Sequence, residues 1–291
     1  MDFAEKLVRA LRDPRRALER AQTLLLETAI ALNNAAIDLA ASLGRRGASP
    51  HSGFGPLDEV LERSRTRSDI SDHLPTLFLE CLAIEPTLIV ELGTRTGEST
   101  FALERVAALY GANLVSVDLN HCARVSSYPG WEFVQCDDIA FASQFPQWCA
   151  ERGGVPAIDV LFLDTSHEFE HTAREIAQWF PYLTARAKVF FHDTHMRRVF
   201  RRRDGSCGLG WDNRRGVMAA IEQYLGSSFD ERRDFTTLCG EWMVKHYANC
   251  NGLTVLERWR QPQPAVSGAA EPALEALEAP SWMNSDARRF A

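Results

Sequence analysis

Thr87-Leu-Ile-Val-Glu-Leu-Gly-Thr-Arg-Thr-Gly-Glu-Ser-Thr100 decides the fold class of this 291-residue chain. Thr87 to Val90 are apolar or β-branched and run into Glu91; Gly93 and Gly97 then lead into a helical pattern. That order reads as a buried strand, a tight turn and a helix start, the place where an open α/β sheet receives a nucleotide-like ligand. The spacing G-x-x-x-G is not the dinucleotide fingerprint, and no Gly-Lys-Ser/Thr follows to make a P-loop. A carboxylate at the strand end suits a ligand carrying an ammonium group and sugar hydroxyls better than a pyrophosphate.

Downstream, strands alternate with helices. Strand patterns fall at Asn113 to Asp118, Trp131 to Cys136, Ile158 to Asp164 and Lys188 to His192. A helix is expected before the first strand, from about Ile70 to Ile84, and another at about Gly216 to Leu225. Two further strands are expected near Asp234 to Cys239 and Leu253 to Arg258. Such alternation predicts a parallel sheet with helices on both faces. Ile158-Asp-Val-Leu-Phe-Leu-Asp164 is almost wholly apolar, as a central parallel strand should be. Residues 1–47 read as an N-terminal helical extension, divided at Pro14 and ending near Gly44. Leu18, Leu25, Ala29, Leu32, Ala36, Leu39 and Leu43 form its apolar stripe, which needs cover either from the protein's own core or from a second subunit. Residues 48–260 make the main domain. Residues 261–291, rich in Pro and Ala, read as an extended tail.

Composition narrows the class. A 45% hydrophobic share, 24% charged residues and a net charge of -7 describe an ordinary globular chain with no nucleic-acid-coating surface. The seven cysteines form no C-x-x-C pair and read as reduced thiols in a cytoplasmic protein. Glu27, Asn33, Asn34 and Asp38 interrupt the apolar stretch from Leu24 to Leu43, which argues against a membrane span.

Four successive strands finish in carboxylates: Glu91, Asp118, Asp137-Asp138 and Asp164. Helix capping accounts for one such residue but poorly for the whole set. Asp164 and Asp193 lie 29 residues apart, one strand-helix-strand unit, and so should stand at the tips of adjacent parallel strands. Oxygen ligands converging there suit a hard divalent cation, Mg²⁺ first. His192 beside Asp193 either joins this site, which would also admit Mn²⁺, or faces away into the sheet.

Glu-Leu-Gly-x-x-x-Gly-x-Ser resembles the first motif of class I S-adenosylmethionine (SAM) methyltransferases. With Asp164-x-x-His167 and Asp193 it looks most like their metal-dependent O-methyltransferase branch: catechol O-methyltransferase, the macrolide-sugar enzymes and the cephalosporin-pathway enzymes. His192 departs from that branch, where a second acidic or amide residue often stands. The middle glycine of many class I enzymes is Arg95 here. The resemblance implies a Rossmann-like, seven-stranded, mostly parallel sheet ending in an antiparallel hairpin. It gives the ribose hydroxyls to Asp118 and the adenine amino group to Asp137 or Asp138. It places the methionine portion at Gly93, Thr94 and Gly97, with Glu91 and Ser99 or Thr100 holding its amino and carboxylate ends. His73 either covers that portion or is a helix-surface histidine. A divalent metal is implied at the Asp164 and Asp193 strand ends, and His167 takes the general-base role of the macrolide-sugar enzymes. His171 and His195 read as surface or helix-face residues.

These features together predict methyl transfer to a hydroxyl of a small molecule, a sugar or another natural-product intermediate. The alternatives are metal-independent N- or C-methylation and a non-catalytic SAM-binding scaffold. Small-molecule acceptors, no nucleic-acid or membrane partner, and a homo-oligomer formed through the N-terminal helices are expected. The basic, glycine-rich connection 196–216 is either a lid, with Trp211 as an apolar wall, or a solvated loop.

Overall fold

The structure, a computed structural model, describes residues 14–43 and 51–259. The expected short helix before Pro14, the helix end at Gly44 and the tail 261–291 lie outside the described residues.

The central sheet has eight strands in the order β3-β2-β1-β4-β5-β10-β9-β8. Strands β1 (Leu88–Leu92), β2 (Asn113–Asp118), β3 (Trp131–Gln135), β4 (Ile158–Leu163) and β5 (Leu183–His192) are parallel. β10 (Leu253–Arg258) runs antiparallel to β5, β9 (Trp242–Tyr247) antiparallel to β10, and β8 (Phe235–Cys239) antiparallel to β9. The Rossmann-like plan is the expected one, with one strand more than the seven read from the sequence. The unread strand is Trp242–Tyr247, whose residues alternate between buried and half-buried. Lys245 and His246 mask its apolar periodicity, so the closing hairpin forms through β9, not directly between β8 and β10. A second, two-stranded sheet pairs β6 (Val199–Arg201) with β7 (Cys207–Leu209) inside the basic connection.

Two apolar layers sandwich the sheet because successive strand residues point to opposite faces. Leu88, Val90 and Leu92 of β1 pack with Phe145 of α5 (Asp138–Glu151), Trp179 of α6 (Phe169–Trp179) and Ile221 of α7 (Gly216–Leu225). Ile89, on the other face, packs with Phe78 of α3 (Leu74–Leu82) and Leu103 of α4 (Glu98–Tyr110), and α2 (Gly55–Arg63) adds Val60. Gly97 caps the start of α4 in a left-handed conformation, and Gly111 ends it the same way. All seven cysteines are unpaired, as their spacing implied.

Helix α1 (Pro14–Leu43) lies against the β6-β7 hairpin. The Asn34 amide donates to the Cys207 carbonyl and accepts from the Cys207 N–H, at 3.0 and 2.9 Å. Arg67 ties Asp38 of the helix to Asp204 of the hairpin, both at 2.9 Å. The connection 196–216 is therefore a hairpin seated on α1 over residues 199–209, not an unstructured loop there.

Candidate active site

The carboxyl ends of β1, β2, β4 and β5 open on one side of the sheet, where parallel strands present their ligands. A pocket of about 260 Å³ lies there, between Asp118 and Asp138 at one end and Asp164 and His167 at the other. Its floor is Gly93, whose φ of +88° and close approach exclude a side chain. A Cβ there would lie 2.1 Å from the Asp164 carbonyl oxygen.

At the first end, Asp118 Oδ2 accepts the backbone N–H groups of Thr94 and Arg95, at 2.8 and 3.0 Å, and Oδ1 accepts that of Asn120 at 2.7 Å. Burial works against the charge on Asp118, but these amides hold its carboxyl below the ordinary range. The Asp138 carboxyl is buried, with Oδ1 3.1 Å from His171 Nε2. Its Oδ2 has no partner among the described residues. Behind it, Glu175 is buried and accepts from the Thr165 hydroxyl at 2.7 Å. Burial, then the Asp138 charge, pushes the Glu175 carboxyl well up.

At the second end, two carboxylates and two imidazoles converge. His167 Nδ1 lies 3.1 Å from Asp193 Oδ2 and 3.8 Å from Asp164 Oδ1. His192 Nδ1 lies 3.0 Å from Asp164 Oδ1 and 3.3 Å from Asp193 Oδ1. Burial would suppress the charge on His192, but Asp193 and Asp164 outweigh it and push the imidazole up to about 10. Burial also acts on Asp164, yet the His192 charge and hydrogen bond keep its carboxyl below the usual value. Burial raises Asp193 despite His192, and the Asp164 charge adds to the rise.

The backbone at this end is strained. Arg95, His167 and Asp193 have φ of +46°, +60° and +57°, a region side-chain-bearing residues avoid. Such conformations persist where the surroundings over-determine them, and they cluster at functional sites. Asn213 Nδ2 donates to the Asp193 carbonyl at 3.0 Å. Gly216 makes room for His167, since a Cβ there would meet the His167 carbonyl oxygen at 2.7 Å. The C-terminal part of the basic connection thus clamps both residues, and the Trp211 ring sits 6.1 Å from that of His167.

Residues 90–194 match a family model described as a methyltransferase domain. No curated protein matches the chain significantly. Solved structures similar to it include the apo form of a TDP-rhamnose 3'-O-methyltransferase of calicheamicin biosynthesis. That match has 15% identity and a TM-score of 0.42, covering 79% of this chain and 94% of that one. The MycE methyltransferase of the mycinamycin pathway, solved with Mg, SAH and mycinamycin VI, is 15% identical with a TM-score of 0.47, covering 98% and 66%. An O-methyltransferase from Bacillus cereus, solved with SAH, is 13% identical with a TM-score of 0.43, covering 77% and 97%.

Several residues assigned from the sequence lie elsewhere. Glu91 is fully buried, and Ser99, Thr100 and Ser116 donate to its oxygens at 2.6, 2.8 and 2.5 Å. The carboxylate and its two α4 hydroxyls are therefore consumed in a network under the helix, whereas the resemblance gave them to the ends of the methionine portion. Thr94 is buried behind the pocket and meets Asp118 through its backbone N–H. Gly97 makes space for Val125, whose Cβ a side chain would meet at 2.8 Å, and does not line the pocket. Asp137 caps α5, accepting from the Ala140 N–H at 2.9 Å, which leaves Asp138 as the pocket carboxylate of the pair. His73 is neither a cover nor a surface residue. It is buried, with Nε2 2.8 Å from the Asn249 carbonyl oxygen and its ring 5.8 Å from that of His192. Burial, then the His192 charge, holds it well below the usual histidine range.

His192 faces the site, which resolves the alternative left open by its position. His171 and His195, read as surface or helix-face histidines, are half-buried, and His171 lies on α6. His171 lines the pocket, and its place four residues after His167, in the first turns of α6, was the available signal. Arg95 also lines the pocket and bonds Asp69 at 2.9 Å. It stands where other class I enzymes have glycine.

Proposed function

We propose that the domain transfers the methyl group of SAM to a hydroxyl oxygen of a small molecule, a sugar or another natural-product intermediate. The observation that carries this reading is the convergence of Asp164, Asp193 and His167 at one end of a pocket whose other end holds Asp118 and Asp138. Asp118 and Asp138 line the pocket, and on this reading Asp118 would accept the ribose hydroxyls and Asp138 would stand beside the adenine. The side-chain-free backbone of Gly93, close against the Asp164 carbonyl, would leave room for the methionine portion.

A divalent cation, Mg²⁺ or Mn²⁺, fits the acidic end. One ligand atom each from Asp164, His167 and Asp193 lie within 4.8 Å of one another. Asp193 Oδ1 is buried, and its near partner is His192 Nδ1 at 3.3 Å. Asp164 and Asp193 would hold the ion, with His192 bonded beside them. When bound, it would orient the acceptor hydroxyl and lower its pKa. His167 supplies the base. With Nδ1–H directed to Asp193 Oδ2, Nε2 is the nitrogen left to take the hydroxyl proton. No covalent enzyme intermediate is needed; the transfer depends on oxygen, methyl carbon and sulfur being held in line. Trp211 offers an apolar wall beside His167.

One observation favours a metal-independent version. His192 Nδ1 lies 3.0 Å from Asp164 Oδ1 and 3.3 Å from Asp193 Oδ1, where a protonated ring would set a positive charge against both carboxylates and leave His167 as base. Turnover with SAM and a panel of hydroxylated acceptors, with and without excess chelator and with Mg²⁺ or Mn²⁺ restored, separates the two. Chelator-sensitive methylation rescued by metal supports the first; chelator-blind methylation supports the second. Absence of SAM binding at millimolar ligand overturns both.

A further inference from the structure

The N-terminal helix carries a seam that nothing in the described chain covers. Leu18, Leu25, Leu32 and Leu39 recur at strict heptad spacing and are 61%, 70%, 68% and 60% exposed. The side of α1 turned to the hairpin is different: there Thr23, Leu26, Ile30, Asn34 and Ile37 are half-buried. The helix therefore has two sides with separate work. One side is satisfied within the subunit, and the leucine side faces solvent.

We propose that this seam pairs with the same seam of a second copy of the chain, as an antiparallel two-helix interface. The 3.5-residue period keeps a stripe in register only against another helix. Gln22, Ala29, Ala36 and Leu43 occupy the alternate heptad positions of the same stripe. An antiparallel two-fold register that sets Leu18 against Leu43 also sets Leu25 against Ala36 and Leu32 against Ala29. The two central layers then pair a large side chain with a small one, while Leu18 meets Leu43 and Leu39 meets Gln22 at the outer layers. A parallel pair would instead set Ala29 against Ala29 and Ala36 against Ala36, leaving the two central alternate layers thinly filled. The antiparallel register also puts Asp38 level with Thr23 and Glu27 level with Asn34, so no like charges stand level among the described residues of the helix. The contact is isologous and closes on itself.

The competing occupant is a lipid bilayer, because α1 is long and apolar enough by length and composition to cross one. Its polar ties argue for protein instead. Asn34 holds both backbone groups of Cys207, and the Thr23 hydroxyl accepts from Arg198 at 2.9 Å. Arg67 holds Asp38 as well. A spanning helix would have to surrender all of these.

The test is analytical ultracentrifugation of the full chain and of Leu25→Glu/Leu32→Glu at micromolar concentration. The wild type is expected to sediment as an oligomer and the variant at the mass of one chain, with unchanged melting temperature of the domain and unchanged SAM affinity. A monomeric wild type, or a variant that keeps its oligomeric mass, overturns the proposal. Orientation is read by oxidative cross-linking against a wild-type control. A mixture of Leu25→Cys and Ala36→Cys proteins should form a new covalent dimer, while Ala36→Cys alone should not. Cross-linking of Ala36→Cys to itself overturns the antiparallel register. Co-sedimentation of wild-type protein with phosphatidylcholine–phosphatidylglycerol vesicles, lost in the Glu variant, would assign the seam to a membrane and overturn the pairing.

Discussion

His167 Nδ1 stands 3.1 Å from Asp193 Oδ2, and both residues hold left-handed backbone conformations. Strain in two sequence-distant residues that meet side chain to side chain is most simply read as geometry kept for chemistry. On the proposed function, Asp193 would orient the ring and the nitrogen facing away from it would be the base.

Replacing His167 with Ala should therefore leave SAM affinity within about twofold while lowering kcat roughly 10²- to 10⁴-fold, the usual worth of a general base. Calorimetry with SAM and single-turnover methylation measure the two sides. Equal loss of both would mean that His167 builds the pocket and does not act in the chemistry.

Asp193→Asn should abolish stimulation by Mg²⁺ or Mn²⁺ as well as lowering turnover, because the ring loses its anionic partner and the cation loses a ligand. Metal titrations of initial rate check this. A variant with wild-type metal response would remove Asp193 from the ion site.

Asp138→Ala should weaken SAM binding roughly tenfold to a hundredfold, in line with loss of a hydrogen bond to a charged group. Asp137→Ala should instead cost about 1 kcal/mol of stability through the lost helix cap and leave SAM affinity unchanged. If the two effects were exchanged, the assignment of pocket and cap would be reversed.

Glu91 gives a pH prediction. Burial raises its carboxyl from 4.5 to about 7, with the hydroxyls of Ser116, Ser99 and Thr100 opposing the rise. A group whose folded pKa lies above the unfolded one adds stability that is fully present below the unfolded pKa and is lost as pH rises through the folded one. Stability should thus fall by an amount on the order of 3 kcal/mol as pH rises from about 4.5 through about 7. Melting curves across that window should be steeper in the wild type than in Glu91→Gln. Parallel curves would contradict the buried-proton account.

Gly93→Ala should lower both the melting temperature and SAM affinity. The added methyl meets the Asp164 carbonyl oxygen at 2.1 Å, so the end of β4 must move and take the Asp164 side chain with it. A soluble variant with unchanged SAM affinity would show that the strand end is free to shift.

The plan of the sheet and its acidic strand ends were legible because they rest on local rules. Apolar runs closing in carboxylates, glycines at turns and helix-length intervals each act over a few residues. The pairing of Asp164 with Asp193 was legible for the same reason, since one strand-helix-strand unit places strand tips side by side and β4 and β5 are indeed parallel neighbours. Strand β9 escaped because Lys245 and His246 interrupt its alternation, and its two neighbours in the sheet are what give those residues a place.

Tertiary structure alone decided which polar groups face the ligand. Glu91 and Asp118 both end strands, yet Ser99, Thr100 and Ser116 absorb the first, while Asp118 stays at the pocket rim. His192 turns to Asp164, and His73 is buried against it, because of contacts between segments far apart in the chain. Local sequence sets where the chain extends, coils and turns. The partners of a buried charge are set by whichever distant segment packs over it, since the cost of leaving it unpaired is met only in the assembled core.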